Sequence, residues 1–308
     1  MRPLVQGDGK SLYKVEQTDR PAWLLRAAPP LASAIAFRQD AQVLALLERH
    51  AYPAPRVVPT LDGATVTECM QRPIIVTSFI EGEPTHYSPP DLCQLGEALG
   101  RLHALPSSDP TNEGSGTPTA VPPARMLPRA EIAAAQSWLE EVRDLVPRTY
   151  RARHDRLTAA CRDLDLLEDL PTVLIHNDCH PGNSLRTPDG RVLLIDWEGA
   201  GRGAAVIDVG FLLVSCEITA FRPNRLPLDP RRMAAVVDGY CQHHRLTPRE
   251  LDRLPGAIRF RSVVACAGGL WHMIREGHAS DGADWAWARY AAADEIAARA
   301  RGHFERHV

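Results

Sequence analysis

Lysine is nearly absent from this chain: among 35 lysines and arginines, only Lys10 and Lys14 are lysine. Also missing are a strong charge of either sign, a long apolar run and a paired-cysteine spacing. Each absence excludes something. A net charge of −3 over 308 residues provides neither a basic nucleic-acid footprint nor an acidic disordered tail. No stretch approaches the ~18 apolar residues that a membrane span requires. The first residues, Met1-Arg2-Pro3-Leu4-Val5-Gln6-Gly7, lack the apolar segment of a secretory leader. The 7 cysteines are odd in number and none forms a C-x-x-C pair, which argues against a disulfide framework or a zinc site. A cytoplasmic location, with no nucleic-acid partner and no membrane, is the expectation. Against these absences, 44% hydrophobic and 24% charged residues make an ordinary globular balance, enough for one or two domain cores.

The pattern changes along the chain. Residues 1–80 read as β-rich with one helix. Leu12-Tyr13-Lys14-Val15 and Trp23-Leu24-Leu25-Arg26 are short apolar runs, and Val57-Val58 and Ile74-Ile75-Val76-Thr77 are further strand candidates around a turn at Asp62-Gly63. Between them, Ala36 to Arg49 places Phe37, Ala41, Leu44 and Leu47 on one helical stripe. From Glu81 onward the character is helical, starting with a helix that Asp91 is expected to cap. Pro106 to Pro128 reads as a long loop, two amphipathic helices are expected around 129–145 and 151–167, and a β segment covers Val173 to Trp197.

The chemistry concentrates in His176-Asn177-Asp178-Cys179-His180-Pro181-Gly182-Asn183. The spacing H-x-D-x-x-x-x-N is that of a phosphoryl-transfer catalytic loop, in which a carboxylate accepts the proton of an attacking hydroxyl. The amide oxygen of Asn183 is a neutral, hard ligand suited to Mg²⁺. A second acid follows in Ile195-Asp196-Trp197-Glu198, and the intervening Asp189-Gly190 reads as a two-residue hairpin turn. Counting outward from that turn sets Asn183 opposite Asp196, as a shared metal site requires. Asp208, inside the apolar run Val206-Ile207-Asp208-Val209-Gly210, needs buried partners and reads as a brace for the loop, with His176 also in support.

These segments, with Gly203 and Asp208, resemble the aminoglycoside phosphotransferase/choline kinase family. The resemblance implies an α+β, bilobal protein-kinase-like fold. Its small antiparallel-sheet N-lobe would span 1–80 and its larger, mainly helical C-lobe 81–308, with a hinge about 77–82. It further implies ATP and Mg²⁺ as cofactors, Asp178 as catalytic base, and Asn183 and Asp196 as metal ligands. By the same likeness Gly7, Gly9 and Ser11 belong to the loop over the nucleotide phosphates. Arg26 takes the strand position where lysine is usual, with Asp40 in place of the usual glutamate partner. Ser78 and Ile80 would present backbone groups to adenine. His103, on the helix after the hinge, reads as structural.

The implied partner is a small-molecule hydroxyl acceptor: an antibiotic, a sugar or an amino alcohol. Its site is expected in the C-terminal region, with Glu198, Trp271, Trp285 and Trp287 as candidates, since an aromatic wall can hold an amine by cation–π contact. Residues 205–308 carry about 14 arginines against about 12 acids, so a polycationic acceptor is disfavoured relative to a neutral or singly charged one. Two rivals stand beside this reading. A choline- or ethanolamine-type kinase is one, although Gly268 occupies a position where that branch tends to carry tryptophan. A catalytically silent kinase-like binding protein is the other. The absence of D-F-G and A-P-E landmarks disfavours a protein kinase.

Overall fold

Alternating apolar side chains near the N-terminus pair into antiparallel strands. The computed structural model describes residues 2–5, 11–106, 121–218, 229–277 and 282–307, with 5 and 282–285 as backbone only. β1 (Arg2–Val5), β2 (Ser11–Gln17), β3 (Arg20–Ala27), β4 (Thr67–Cys69) and β5 (Arg72–Ser78) form one sheet in the order β1-β2-β3-β5-β4. The β2–β3 hairpin sets Leu12 opposite Arg26 and Gln17 opposite Arg20. Its turn places Asp19 at φ 57°, a left-handed conformation that aspartate tolerates better than most residues. α1 (Ile35–Arg49) packs on the sheet through Phe37 and Ala41 against Ala28 and Ile75. Val57 makes only an isolated bridge to Thr77 rather than the expected strand. Pro53, Pro55 and Pro59 surround it and lack the N–H that a ladder needs.

The rest of the chain is mainly helical. After β6 (Glu83–Pro84) comes α2 (Pro89–His103), capped by Ser88 and not by Asp91. Pro89 and Pro90 fill the first two helical positions, where no N–H is needed, so Asp91 becomes the third residue and its N–H meets Ser88 Oγ at 3.4 Å. α3 (Pro128–Val142) and α4 (Arg151–Arg162) match the two expected helices with earlier ends. Most of the expected loop, residues 107–120, lies outside the described residues. β7 (Thr172–Ile175), β8 (Ser184–Arg186), β9 (Val192–Leu194) and β10 (Gly201–Ala204) build two small sheets, β10-β7 and β6-β8-β9. The C-terminal helices are α5 (Ala205–Glu217), α6 (Pro230–Tyr240), α7 (Pro248–Glu276), α8 (Gly282–Ala291) and α9 (Ala293–Phe304).

α5 is buried almost all round, and its Leu212 and Leu213 share one core with Leu254, Ile258 and Phe260 of α7. Tyr52, just after α1, meets Trp197 edge-on with ring centroids 5.7 Å apart, tying the sheet-bearing part to the helical part. Among the described residues no helix is long and apolar enough to cross a membrane, and all seven cysteines are free thiols.

α2 and α6 touch backbone to backbone. A Cβ on Gly239 would lie 1.9 Å from the Cys93 carbonyl oxygen, and one on Gly96 would lie 2.2 Å from that of Val236. Neither obstacle is a side chain that can swing away, so the helices must separate to admit a methyl group. Gly239→Ala is therefore expected to lower unfolding free energy by about 1–3 kcal/mol, the usual cost of overpacking, as read from the urea midpoint. An unchanged midpoint would show that this contact is looser than described.

Candidate active site

The loop after β7 is held from beneath. β10 pairs with β7, Gly201 opposite Ile175, and runs directly into α5, which places the first turn of that helix under the loop. There Asp208 is wholly buried. Its Oδ2 accepts the His176 backbone N–H at 2.7 Å and its Oδ1 accepts that of Asn177, also at 2.7 Å. His103 Nε2 lies 3.2 Å from Oδ2, and its Nδ1 lies 2.9 Å from the Tyr240 hydroxyl. Burial by itself pushes the Asp208 carboxyl up. The His103 hydrogen bond, the charges of His103 and His176 and the His176 N–H outweigh that and hold it below the ordinary carboxylate value.

The loop's own side chains complete the frame. His176 donates from Nε2 to the Ile195 carbonyl at 2.9 Å, and its ring lies 4.7 Å from that of Trp197. Asn177 adopts φ 67° and donates to the Gly199 carbonyl at 3.3 Å. Asn183 donates its amide N–H to Asp178 Oδ2 at 2.7 Å and to the Asp178 carbonyl at 3.1 Å. His180 Nδ1 accepts from the Gly182 N–H at 3.0 Å, while Nε2 stands 4.0 Å from Asp178 Oδ2. Burial lowers the His180 pKa, with Asp178 opposing and Arg289 adding to the effect. Cys179 is buried next to Asp178, and burial raises its thiol well above the ordinary range.

The hairpin that follows has a different register from the one counted on the sequence. Arg186 pairs with Val192 and Ser184 with Leu194, and the Ile195 N–H meets the Asn183 carbonyl at 3.0 Å. The connection is a three-residue loop, Pro188-Asp189-Gly190. The Gly190 N–H bonds the Thr187 carbonyl at 2.8 Å, and Gly190 sits at φ 83°. Proline presets the turn and glycine takes the left-handed position, which is the three-residue hairpin solution. Asn183 therefore faces Ile195. Asp196 is one residue further on at φ 60°, and both Asn183 and Asp196 line one cleft.

That open cleft, about 1350 Å³, lies between the sheet and the hairpin. Leu12, Leu24 and Ile80 line its sheet side, Leu185 and Ile195 its hairpin side, and Arg26, Asp40, Asn183, Asp196 and Glu198 its polar end. Arg26 is buried, with Nη2 2.6 Å from Asp40 and Nη1 2.9 Å from Glu198. Arg125 closes on the other oxygen of Asp40 at 2.8 Å and holds the Ala36 carbonyl at 2.8 Å. Two carboxylates and a second guanidinium thus fix the Arg26 side chain.

Several expected placements change. Glu198, expected on the acceptor side, is engaged by Arg26 in the cleft. Trp271 donates to Glu141 at 2.9 Å, and Trp287 stacks on Tyr290 at 4.8 Å; neither lines the cleft. The Trp285 side chain, Gly7 and Gly9 lie outside the described residues. Ser11 is buried and accepts from Arg72 at 3.2 Å, which makes it a sheet anchor. Ser78 and Ile80 both line the cleft, and the Ser78 N–H meets the Arg56 carbonyl at 2.8 Å.

Arg125, Arg261 and Phe211 were not expected. Arg261 of α7 reaches both Asn177 oxygens, and Phe211 lies under His180 at 5.6 Å. The one signal for Arg261 was a charge among Phe260, Val263 and Val264, which an arginine-rich sequence conceals.

The chain belongs to the phosphotransferase enzyme family, whose model matches residues 2–254. Relatives include homoserine kinases: one of Hyphomonas neptunium is 27% identical over 224 residues, covering 70% of this chain and 65% of that protein. One of Rhizobium meliloti is 28% identical over 222 residues, covering 67% and 60%. The matched region thus spans less than two thirds of those relatives' length. In fold, the chain is similar to the amicoumacin kinase hAmiN in complex with AMP-PNP, Ca²⁺ and Ami, with TM-score 0.67, 16% identity and coverage of 96% and 87%. It is also similar to a Plasmodium vivax ethanolamine kinase, with TM-score 0.60, 14% identity and coverage of 94% and 80%. The protein-kinase-like α+β architecture is therefore that of this chain.

The buried carboxylate has a pH consequence. A carboxyl held lower in the folded state contributes stability above its unfolded pKa of about 3.9 and loses it as pH falls through the folded value. Asp208→Asn removes that contribution. The difference in unfolding free energy between wild type and Asp208→Asn is expected to be largest at neutral pH and to shrink below about pH 4. A pH-independent difference in urea titrations would contradict the assignment.

Proposed function

We propose that this protein is an ATP-dependent kinase that transfers the γ-phosphoryl group to a hydroxyl of a small molecule. The observation that carries this reading is the joint placement of Asp178, Asn183 and Asp196 beside a cleft lined by Leu12, Leu24, Leu185, Ile195 and Arg26. The sheet 1–80 and the part 81–308 act as nucleotide-holding and acceptor-holding lobes about a hinge at 77–82.

Each residue has a derived task. Leu12, Leu24, Leu185 and Ile195 exclude water from both faces of a planar base, with Ile80 at its edge. Arg26, preset by Asp40 and Glu198, meets phosphate oxygens; its Nε is buried without a partner, as suits a group awaiting an anion. Asn183 spends its amide nitrogen on Asp178 Oδ2, so Oδ1 of Asp178 accepts the acceptor's hydroxyl proton. The Asn183 amide oxygen and the Asp196 carboxylate are the hard oxygen donors that would hold Mg²⁺, with phosphate oxygens completing the set. Among the described residues no group of three or more His, Cys, Asp and Glu could hold a metal ion. When bound, Mg²⁺ would neutralise charge on the transferring phosphoryl group.

For the acceptor, the homoserine kinase relatives make a hydroxy amino acid the first compound to test. A choline-type aromatic box is disfavoured because Trp271 and Trp287 are occupied elsewhere and Gly268 packs near Trp138. A silent binding module is disfavoured by the intact Asp178–Asn183 pair.

Radiolabel transfer from γ-labelled ATP to homoserine, ethanolamine, choline and aminoglycosides tests the reading. Asp178→Asn is expected to cut transfer by roughly two orders of magnitude or more while ATP binding persists. Asp196→Ala is expected to weaken Mg·ATP binding as well. Near-normal transfer by Asp178→Asn would remove the base from this residue. ATP binding without transfer to any acceptor would favour the silent module.

A further inference from the structure

Asn177 directly precedes the proposed base, and every polar atom of it is engaged. Its N–H goes to Asp208, and its amide nitrogen goes to the Gly199 carbonyl. Its backbone carbonyl and its side-chain oxygen both accept from one donor, Nη2 of Arg261. The residue sits at φ 67°, in the left-handed region that asparagine tolerates but does not prefer. An arginine that clamps both oxygens of a left-handed residue fixes a conformation that the backbone would otherwise leave.

Arg261 is itself held. It projects from the middle of α7, with its guanidinium 5.2 Å from the Phe260 ring and 5.6 Å from the Phe211 ring. Phe211, in turn, packs edge-on against His180 at 5.6 Å. Its Nε is buried without a partner, and burial lowers its pKa against the opposing pull of Asp178, Asp208 and Glu131. Such a half-buried cation on a core-packed helix is costly to carry without a local purpose. The only hydrogen-bonded oxygens that it reaches among the described residues are those of Asn177. Asp208 holds the loop's two N–H groups from α5, and Arg261 holds the oxygens from α7.

We infer that Arg261 is a positioning residue for phosphoryl transfer: by clamping both oxygens of Asn177 it holds the left-handed turn that aims Asp178 at the acceptor. It acts through Asn177, whose two oxygens it holds, and does not line the cleft. The inference rests on Asp178 being the base.

The test uses the full-length protein, ATP, and whichever of homoserine, ethanolamine or an aminoglycoside the wild type phosphorylates. Arg261→Ala is expected to lower kcat by ~10–100-fold, the scale of a misplaced catalytic group, with KM for ATP nearly unchanged. Added guanidinium ion, below denaturing concentration, should restore part of kcat. Arg261→Lys should fall between, since one ammonium cannot reproduce the planar fork. Asn177→Gly introduced into Arg261→Ala should recover activity, because glycine enters the left-handed region without cost.

A purely structural arginine would lower the melting temperature without guanidinium rescue and without recovery by Asn177→Gly; that pattern overturns the inference. A raised KM for ATP at constant kcat overturns it too, by moving Arg261 to the nucleotide. Should Arg261→Ala fail to fold, Arg261→Lys with and without Asn177→Gly decides by the same criteria. No transfer by the wild type to any of these acceptors overturns the reading of the site, and the inference with it.

Discussion

One buried carboxylate organises the centre of this molecule. Asp208 has no exposure to solvent, and its two oxygens take the backbone N–H groups of consecutive residues, His176 and Asn177. Without it, two buried donors and the carboxylate's own partners would go unmet, at about 1–3 kcal/mol for each orphaned group. The strand β7, the loop, β10 and the start of α5 all converge on that side chain. His103 and Tyr240 extend the network to α2 and α6, so the tight α2–α6 packing and the loop geometry are parts of one arrangement.

A second network governs the cleft. Glu198, Arg26, Asp40 and Arg125 alternate in charge from the hairpin through β3 and α1 to the segment before α3. Two of these pairs join residues 1–80 to the rest of the chain, Arg26 to Glu198 and Asp40 to Arg125. The planar fork of Arg26 lets two carboxylates from different elements grip its two terminal nitrogens. Asn177 and Asp196 both stand at positive φ on either side of the β8–β9 hairpin, a conformation that Asn and Asp tolerate better than most residues.

Much of this was legible in the sequence because it depends on local spacing. The H-x-D-x-x-x-x-N loop, the I-D-W segment and the apolar run around Asp208 are short-range patterns, and the structure brings their residues together. The buried acid within Val206–Gly210 accepts the N–H groups of His176 and Asn177. The register of the hairpin was not legible from Asp189-Gly190 alone, because Pro188 favours a three-residue loop and shifts every pair by one. The surroundings of the tryptophans were not legible for a different reason. Trp271 and Trp287 share a helical, aromatic-rich region, but their orientation depends on Glu141, Arg156 and Tyr290, far away in sequence or set by helix phase. Arg125 and Arg261 act across 85 and 84 residues respectively, counted from Asp40 and Asn177, and no local pattern marks them.

Amide hydrogen exchange at His176 and Asn177 tests the account most directly. If Asp208 clamps the loop, both amides exchange only through global unfolding, with protection matching that of the buried strand β7, and Asp208→Asn weakens that protection selectively. Exchange of the two amides in wild type at the rate of an exposed loop would contradict the clamp, and with it the geometry from which the proposed chemistry is derived.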